Sequence, residues 1–147
     1  GHSGGAGLGY GMGASIGAAL AHRGSERLCV NLQADGDFLY TPSALWTAAH
    51  HEIPLLTVVV NNRTYYNSEE HALAMAGQRD RPTERAGIGT RIERPDVDFT
   101  LLARSFGVAA FGPVEDPDDL APQLEKAIEI VKTERRPALV DVITKAR

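Results

Sequence analysis

The chain carries the sequence LCVNLQADGD at residues 28–37 and the sequence LLTVVVNN at residues 55–62. Each stretch begins as an apolar run of the length of a buried strand and ends in polar residues. Residues 42–51, which lie between them, have the apolar spacing of a helix, so the three segments predict a strand–helix–strand unit. Two parallel neighbouring strands bring their carboxyl ends to one edge of a sheet, where ligands bind in open α/β folds.

Two oxygen-bearing side chains, Asp35 and Asn62, stand at the ends of these predicted strands, 27 positions apart. A carboxylate and an amide oxygen together suit a hard cation such as Mg²⁺ or Ca²⁺. Two such ligands leave most of an octahedral shell open, and Mg²⁺ usually fills that space with water and substrate phosphates. Taken separately, the two sites are also typical of a turn and of an ordinary strand exit. Their joint spacing favours a metal that bridges the protein to a diphosphate.

The rest of the chain alternates helical and strand patterns, which predicts an α/β domain with a mainly parallel sheet flanked by helices on both faces. A glycine loop at 1–13 precedes a predicted helix of small residues at 14–22. Thr41 is the predicted N-cap of the next helix, with Pro42 at its first position. The later elements are predicted as helices at 99–106 and from 117 onward, and as strands at 108–111 and 138–143.

Residues 63–97 are rich in Arg, Glu, Gly and Pro and show little apolar periodicity. They are predicted as a connection, which is long for a compact domain. Such a segment is usually a functional lid or becomes ordered against a partner.

Composition narrows the class of protein. The 147 residues carry a net charge of −4 and no basic stripe, which argues against a nucleic-acid partner. No apolar run approaches the roughly 18 to 20 residues of a membrane span, and no signal-peptide pattern is present. The single cysteine cannot form an internal disulfide, and a reducing cytoplasm is the expected compartment.

These residues resemble a known family. The sequence ADG at 34–36, followed by NN at 61–62, resembles the thiamine diphosphate motif, in which Gly-Asp-Gly precedes Asn-Asn at similar spacing. Residues 8–17 and 43–49 resemble the glycine loop and the helix that flank this motif in benzoylformate decarboxylase and its relatives. The tail of the chain matches as well, so the resemblance covers nearly all of it. The family is that of the thiamine-diphosphate-dependent 2-oxo acid decarboxylases and acetolactate synthases.

The resemblance implies a set of cofactor ligands at the diphosphate end. Asp35 and Asn62 would bind Mg²⁺ through their side chains, and Thr64 through its backbone carbonyl. Backbone amides would cradle the diphosphate of the cofactor; they are those of Gly36, Asp37, Tyr65, Tyr66 and Asn67.

The resemblance also implies contacts at the other end of thiamine diphosphate. Leu8 would be the bulky apolar residue that holds the two rings of the cofactor in a bent arrangement. The carbonyl of Ala6 would accept a hydrogen bond from the cofactor's amino group, and Gly7 would lie between them against the cofactor. Bending places that amino group against the C2 proton that must be removed, so the cofactor acts as a positioned base.

Ser68 stands where some decarboxylases of the family carry an acidic residue, and two residues at the first motif also depart from the family's pattern. Ala34 replaces the usual first Gly of the motif, which is acceptable where that residue has a negative φ. Asp37 replaces a frequent Ser. Because a carboxylate would repel a diphosphate, we expect the side chain of Asp37 to turn away from the cofactor while its N–H still contributes.

The function implied by the resemblance is non-oxidative decarboxylation or carboligation of a 2-oxo acid, with a 2-oxo acid or an aldehyde as substrate. Chemistry like that of acetolactate synthase or 2-hydroxyacyl-CoA lyase is the alternative within the enzyme class. We expect residues 1–147 to be the C-terminal domain of a longer homodimer or homotetramer whose pyrimidine-binding and middle domains lie elsewhere. The activating glutamate belongs to the pyrimidine-binding domain, so no catalytic residue is assigned here.

Two further hypotheses come from other classes. The sequence GYGMGA at 9–14 fits the dinucleotide fingerprint G-x-G-x-x-G/A, but that fingerprint must follow a strand and residues 1–8 carry no strand pattern. A non-catalytic module that kept the fold is the other. An intact pair of Asp35 and Asn62 argues against lost metal binding but leaves catalysis open.

Overall fold

The computed structural model describes residues 7–145, and within them it contains a sheet of four parallel strands. In chain order the strands are β1 (Cys29–Ala34), β2 (Leu55–Asn61), β3 (Ala109–Val114) and β4 (Ala138–Ile143). Their order across the sheet is β1-β2-β4-β3. The predicted parallel sheet, with the first two strands adjacent, is confirmed.

Helices occupy both faces of this sheet. The described residues form α1 (Tyr10–Ala21), α2 (Asp35–Phe38), α3 (Ala44–His50), α4 (Tyr66–Gln78), α5 (Phe99–Ser105) and α6 (Pro117–Glu129). A short π-helical stretch, Ile130–Glu134, continues α6. No helix among residues 7–145 combines the length and the apolar character that crossing a bilayer requires.

The alternation of side chains along β2 divides the core into two layers. Leu55 and Val59 point to one face and pack in a cluster with residues of α1, α3 and α5. Leu56 and Val58 point to the other face and pack in a cluster with residues of α6. The central strand is therefore apolar on both sides, as expected for a parallel strand that is covered by helices above and below.

The first helix begins earlier than predicted. α1 starts at Tyr10 rather than at residue 14, so Gly11, Met12 and Gly13 are helical. Met12 is fully buried in the core and fixes this first turn against the sheet. The predicted helix start at residue 14 was wrong. Glycine disfavours a helix by only about 1 kcal/mol, which the burial of Met12 can offset.

The predicted cap of α3 is also wrong. α3 begins at Ala44, and Ser43 precedes it without a side-chain cap. The hydroxyl of Thr41 instead donates to the carbonyl oxygen of Gly9 at 3.1 Å. This hydroxyl therefore holds Gly9 in place and does not cap the start of α3.

The interval 63–97, predicted as a connection, contains the 13-residue helix α4. None of the residues of α4 is buried, so no apolar stripe marks the helix in the sequence. Two later helices begin with side-chain caps: the carboxylate of Asp98 accepts from the N–H of Leu101 at 2.8 Å, and that of Asp116 accepts from the N–H of Asp118 at 3.0 Å.

A buried polar pair joins β2 to β4. The side-chain amide of Asn61 donates to Asp141 at 3.2 Å, and Asp141 is only 1% exposed. Burial raises the pKa of Asp141 from 3.8 to about 6, and the hydrogen bond from Asn61 offsets part of this rise.

We expect the raised pKa of Asp141 to appear in the pH dependence of stability. The folded state keeps this proton up to about pH 6, whereas the unfolded chain releases it near 3.8. The contribution of this group to the free energy of unfolding is therefore largest below pH 3.8 and is lost as the pH rises through 6. The loss is about 3 kcal/mol, because each unit of pKa difference corresponds to about 1.36 kcal/mol. Urea unfolding of the wild type and of Asp141→Asn at pH 4.5 and 7.5 measures this pH dependence. The variant should gain stability relative to the wild type at the higher pH, and a constant difference would contradict the assignment.

Candidate functional site

The carboxyl ends of β1 and β2 meet at one edge of the sheet, as the sequence predicted. Ala34 pairs with Val60, so the residues that follow both strands are level with each other. The contact between them is direct, because the N–H of Arg63 donates to Oδ2 of Asp35 at 2.6 Å.

Asp35 is the buried centre of this edge. Its side chain is 1% exposed, and its second oxygen, Oδ1, accepts from the N–H of Gly36 at 2.8 Å. Burial raises the pKa of Asp35, and the N–H groups of Gly36 and Arg63 oppose that rise by favouring the charged form. A carboxylate has about four lone-pair sites, so the bonds from Gly36 and Arg63 alone do not fill it.

The two consecutive asparagines have different partners. Asn61 points into the sheet toward Asp141, whereas Asn62 points along the site edge, where its Oδ1 accepts from the N–H of Thr64 at 3.2 Å. Arg63 between them has a positive φ of 57°, which turns the chain sharply after the strand. Such a conformation is costly for a residue other than glycine and is found at functional sites.

The ring of Tyr65 lies against the backbone of Gly36. A Cβ atom on Gly36 would come within 2.6 Å of Cδ1 of this ring, so only glycine fits at the centre of the ADG sequence. The hydroxyl of Tyr65 donates to the carbonyl oxygen of Gly36 at 3.2 Å. Burial raises the pKa of Tyr65, which keeps the proton on this hydroxyl.

A cluster around Glu69 supports the same edge and was not predicted. Its carboxylate accepts from the hydroxyls of Thr64 and Thr90, both at 3.4 Å, and pairs with Arg91 at 2.8 Å. The N–H of Tyr65 donates to the carbonyl of Thr90 at 2.8 Å. Thr90 and Arg91 are 21 and 22 positions from Glu69, and no spacing pattern could have connected them.

The N–H groups at the site divide into two sets. Those of Gly36 and Tyr65 are already bonded within the protein. Tyr66 and Asn67 form the first turn of α4, whose N–H groups have no acceptor inside the helix. Their N–H groups, together with the positive end of the helix dipole, suit an anion.

Gly9 lies against α2. The N–H of Gly9 donates to Oδ1 of Asp37 at 2.6 Å, which ties the loop to the segment just after Asp35. Leu8, directly before Gly9, is 54% exposed, and Gly7 is exposed as well. Ala6, whose carbonyl was expected to contact the cofactor, lies outside the described residues.

The donor set fits a single hard cation. Within residues 7–145 no group of three or more His, Cys, Asp or Glu side chains is arranged to hold a metal. One buried carboxylate, one amide oxygen and a backbone carbonyl are what an ion that keeps water or phosphate ligands would use. Burial raises the pKa of Asp35, and a cation bound beside it would favour the ionised carboxylate.

Comparison with known proteins agrees with this geometry. Residues 2–142 match the family described as the thiamine pyrophosphate enzyme, C-terminal TPP binding domain. A benzoylformate decarboxylase of Pseudomonas aeruginosa is 32% identical over 139 residues, or 94% of this chain and 23% of that protein. The acetolactate synthase large subunit of Pyropia yezoensis is 30% identical over 125 residues, or 83% of this chain and 19% of that protein.

A solved structure is similar as well. The thiamine diphosphate-dependent 4-hydroxybenzoylformate decarboxylase of Rhodococcus jostii RHA1 superposes with a TM-score of 0.71 at 28% identity, covering 95% of this chain and 24% of that one. The chain thus spans about a fifth to a quarter of the length of these relatives. The match across 2–142 settles the family: this chain belongs to the thiamine pyrophosphate enzymes, as their C-terminal TPP-binding domain.

Proposed function

We propose that this edge of the sheet binds thiamine diphosphate through Mg²⁺, held by the side chains of Asp35 and Asn62 and the carbonyl of Thr64. The observation that carries the proposal is the buried carboxylate of Asp35, fixed by backbone N–H groups from two segments. The hydrogen bond from Thr64 to Asn62 orients the amide oxygen in the same way. Fixed oxygens lower the cost of assembling a metal site, because little freedom is lost on binding.

The diphosphate would lie at the first turn of α4. The N–H groups of Tyr66 and Asn67 point out of this turn, and the N–H of Asp37 lies in the short helix α2, which begins at Asp35. The N–H groups of Gly36 and Tyr65 donate to Asp35 and to the carbonyl of Thr90. In this proposal they hold the segments next to the diphosphate, and the ring of Tyr65 packs against Gly36.

The thiamine end would rest on the glycine loop. Leu8 is half exposed in the described structure and is available to contact the two rings, with Gly7 beside it. When bound, thiamine diphosphate supplies the carbon nucleophile and the electron sink for cleavage next to a 2-oxo group. The residues of this chain anchor, orient and partly dehydrate it, and none is assigned to proton transfer.

The reaction proposed for the whole protein is non-oxidative decarboxylation or carboligation of a 2-oxo acid. The relatives named above include decarboxylases and an acetolactate synthase, so a carboligase is the second candidate. We also propose a homodimer or homotetramer in the cytoplasm. Large apolar side chains that are about half exposed support the oligomer, because such surfaces usually mark interfaces; they include Tyr10, Leu20 and Trp46.

Asp35→Asn in the full-length protein should weaken Mg²⁺-dependent binding of thiamine diphosphate by about 100-fold or more, because even outer-shell changes cost 10- to 100-fold. The amide keeps the shape of the carboxylate but loses its charge. Calorimetric titration of the cofactor, with and without Mg²⁺, measures the effect. Asp118→Asn removes the same charge from an exposed position on α6 and should change nothing. Near-normal affinity of Asp35→Asn would show that the metal is bound elsewhere.

Leu8→Ala should slow turnover by about 10- to 100-fold, because misplacement by about 1 Å can cost that much, while the cofactor's Kd changes little. Removing the side chain frees the ring geometry but leaves the diphosphate anchor intact. The matched control is Leu101→Ala, which truncates a leucine that is similarly exposed on α5. An unchanged kcat would exclude a role for Leu8 in bending the cofactor.

Gly36→Ala should weaken cofactor binding and lower stability, because the new methyl group would collide with the ring of Tyr65. We expect a loss of about 1–3 kcal/mol, as for other overpacked sites. Gly77→Ala in α4, where a Cβ atom would meet nothing within 4 Å, is the control and should be neutral or slightly stabilising. Equal thermal stability of the two variants would contradict the packing argument.

A further inference from the structure

We propose that Asp37 is a positioning residue for the cofactor's thiamine end. Its carboxylate holds the N–H of Gly9 and thereby fixes Leu8, and a buried relay from Asn31 through Gln33 orients the carboxylate. This inference rests on the proposed function of Leu8 and adds the device that sets the position of Leu8.

Gly9 is held from both sides. Its N–H donates to Oδ1 of Asp37 at 2.6 Å, and its carbonyl accepts from the hydroxyl of Thr41 at 3.1 Å. Gly9 also has a positive φ of 84°, and α1 begins directly after it. With both peptide groups of Gly9 fixed, the backbone position of Leu8 follows.

The second oxygen of Asp37 is occupied by the relay. Oδ2 accepts from the side-chain amide of Gln33, and Oε1 of Gln33 accepts from the amide of Asn31 at 3.0 Å. The same amide of Asn31 donates to the sulfur of Met12 at 3.2 Å. Gln33 is 2% and Asn31 6% exposed, so these bonds are shielded from water and are costly to break.

The polarity of the relay explains why residue 37 is an aspartate. The sulfur of Met12 can only accept, so Asn31 must present its amide to it. Gln33 then accepts from Asn31 and donates to residue 37, where the N–H of Gly9 also donates. The two donors reach different atoms of residue 37, Oδ1 and Oδ2. A carboxylate accepts at both atoms, whereas an asparagine would present an NH2 group to one of the donors.

The glycine at position 11 is needed for the close packing of α1 against Gln33 and Asp37. A Cβ atom on Gly11 would lie 2.9 Å from both Nε2 of Gln33 and Oδ2 of Asp37. Glycine at this position therefore lets the first turn of α1 approach the relay. The glycine-rich stretch at 9–13 thus serves this contact in addition to any contact with a ligand.

The primary test uses Asp37→Ala in the full-length protein, because alanine removes the acceptor of Gly9 and is compatible with α2. In the cofactor-free protein, hydrogen exchange of the Gly9 amide should accelerate. With thiamine diphosphate and Mg²⁺ bound, exchange of the cofactor's C2 proton should slow by about 10- to 100-fold, while Kd changes little. Unchanged exchange of the Gly9 amide, or unchanged exchange of the C2 proton, would overturn the proposal.

A double-mutant cycle with Leu8→Ala tests whether Asp37 acts through Leu8. If it does, Asp37→Ala slows exchange of the C2 proton in the wild type but adds little in the Leu8→Ala background. Full additivity of the two effects would mean that Asp37 acts by another route and would overturn the proposal. Asp118→Asn again serves as the charge control and should leave both exchange rates unchanged.

The relay has its own test, which also covers the case in which Asp37→Ala does not fold. Gln33→Glu alone sets a carboxylate against Asp37, and Asp37→Asn alone sets one more donor into the relay. The double variant Q33E/D37N restores one acceptor for every donor. Exchange of the Gly9 amide should be slower in the double variant than in either single variant. If the effects of the two single substitutions on exchange of the Gly9 amide simply add in the double variant, the relay is overturned.

The proposed function can fail separately. If the wild-type full-length protein binds no thiamine diphosphate, the role of Leu8 is overturned together with the cofactor assignment. Exchange of the Gly9 amide in the cofactor-free protein still distinguishes that result from a failure of the Asp37 contact, because this measurement does not involve the cofactor.

Discussion

The structure depends on a carboxylate that is kept out of water. The oxygens of Asp35 are bound by the backbone of Gly36 and of Arg63, which belong to segments that follow different strands. An ionised carboxylate that is buried without such partners is costly by several kcal/mol. The chain after each strand therefore has little freedom in how it turns, and the positive φ of Arg63 and the contact of Gly36 with Tyr65 follow from this constraint.

Polar side chains extend this arrangement into the sheet. Asn31 and Gln33 of β1, Asn61 of β2 and Asp141 of β4 all lie on the face that carries α1 and α5, and all are buried. Within residues 7–145 no buried side-chain nitrogen or oxygen lacks a hydrogen-bond partner. A fully satisfied polar layer of this kind specifies one arrangement of the strand ends more sharply than apolar packing does.

The sheet and the edge that carries the site were predictable from the sequence, because both depend on local signals. The apolar runs before Asp35 and Asn62 mark buried strands, and parallel neighbours must end at the same edge. The relay through Gln33 and the cluster around Glu69 were not predictable. They join residues of ordinary polarity through the fold, and nothing in their spacing separates them from solvated side chains. The different partners of Asn61 and Asn62 could not be predicted from the sequence either. Side chains alternate between the two faces of a sheet only within a strand, and β2 ends at Asn61.

The lack of buried residues in α4 has a consequence for binding thermodynamics. Because none of its side chains is buried, unwinding of α4 exposes little apolar surface. Segments of this kind open locally at a free energy below that of global unfolding. Any ligand captured at the first turn of α4 must stabilise the wound state, and its apparent affinity falls by the fraction of molecules in which the helix is open. Changes on the solvent side of α4 that alter helix propensity should therefore tune affinity without touching a ligand.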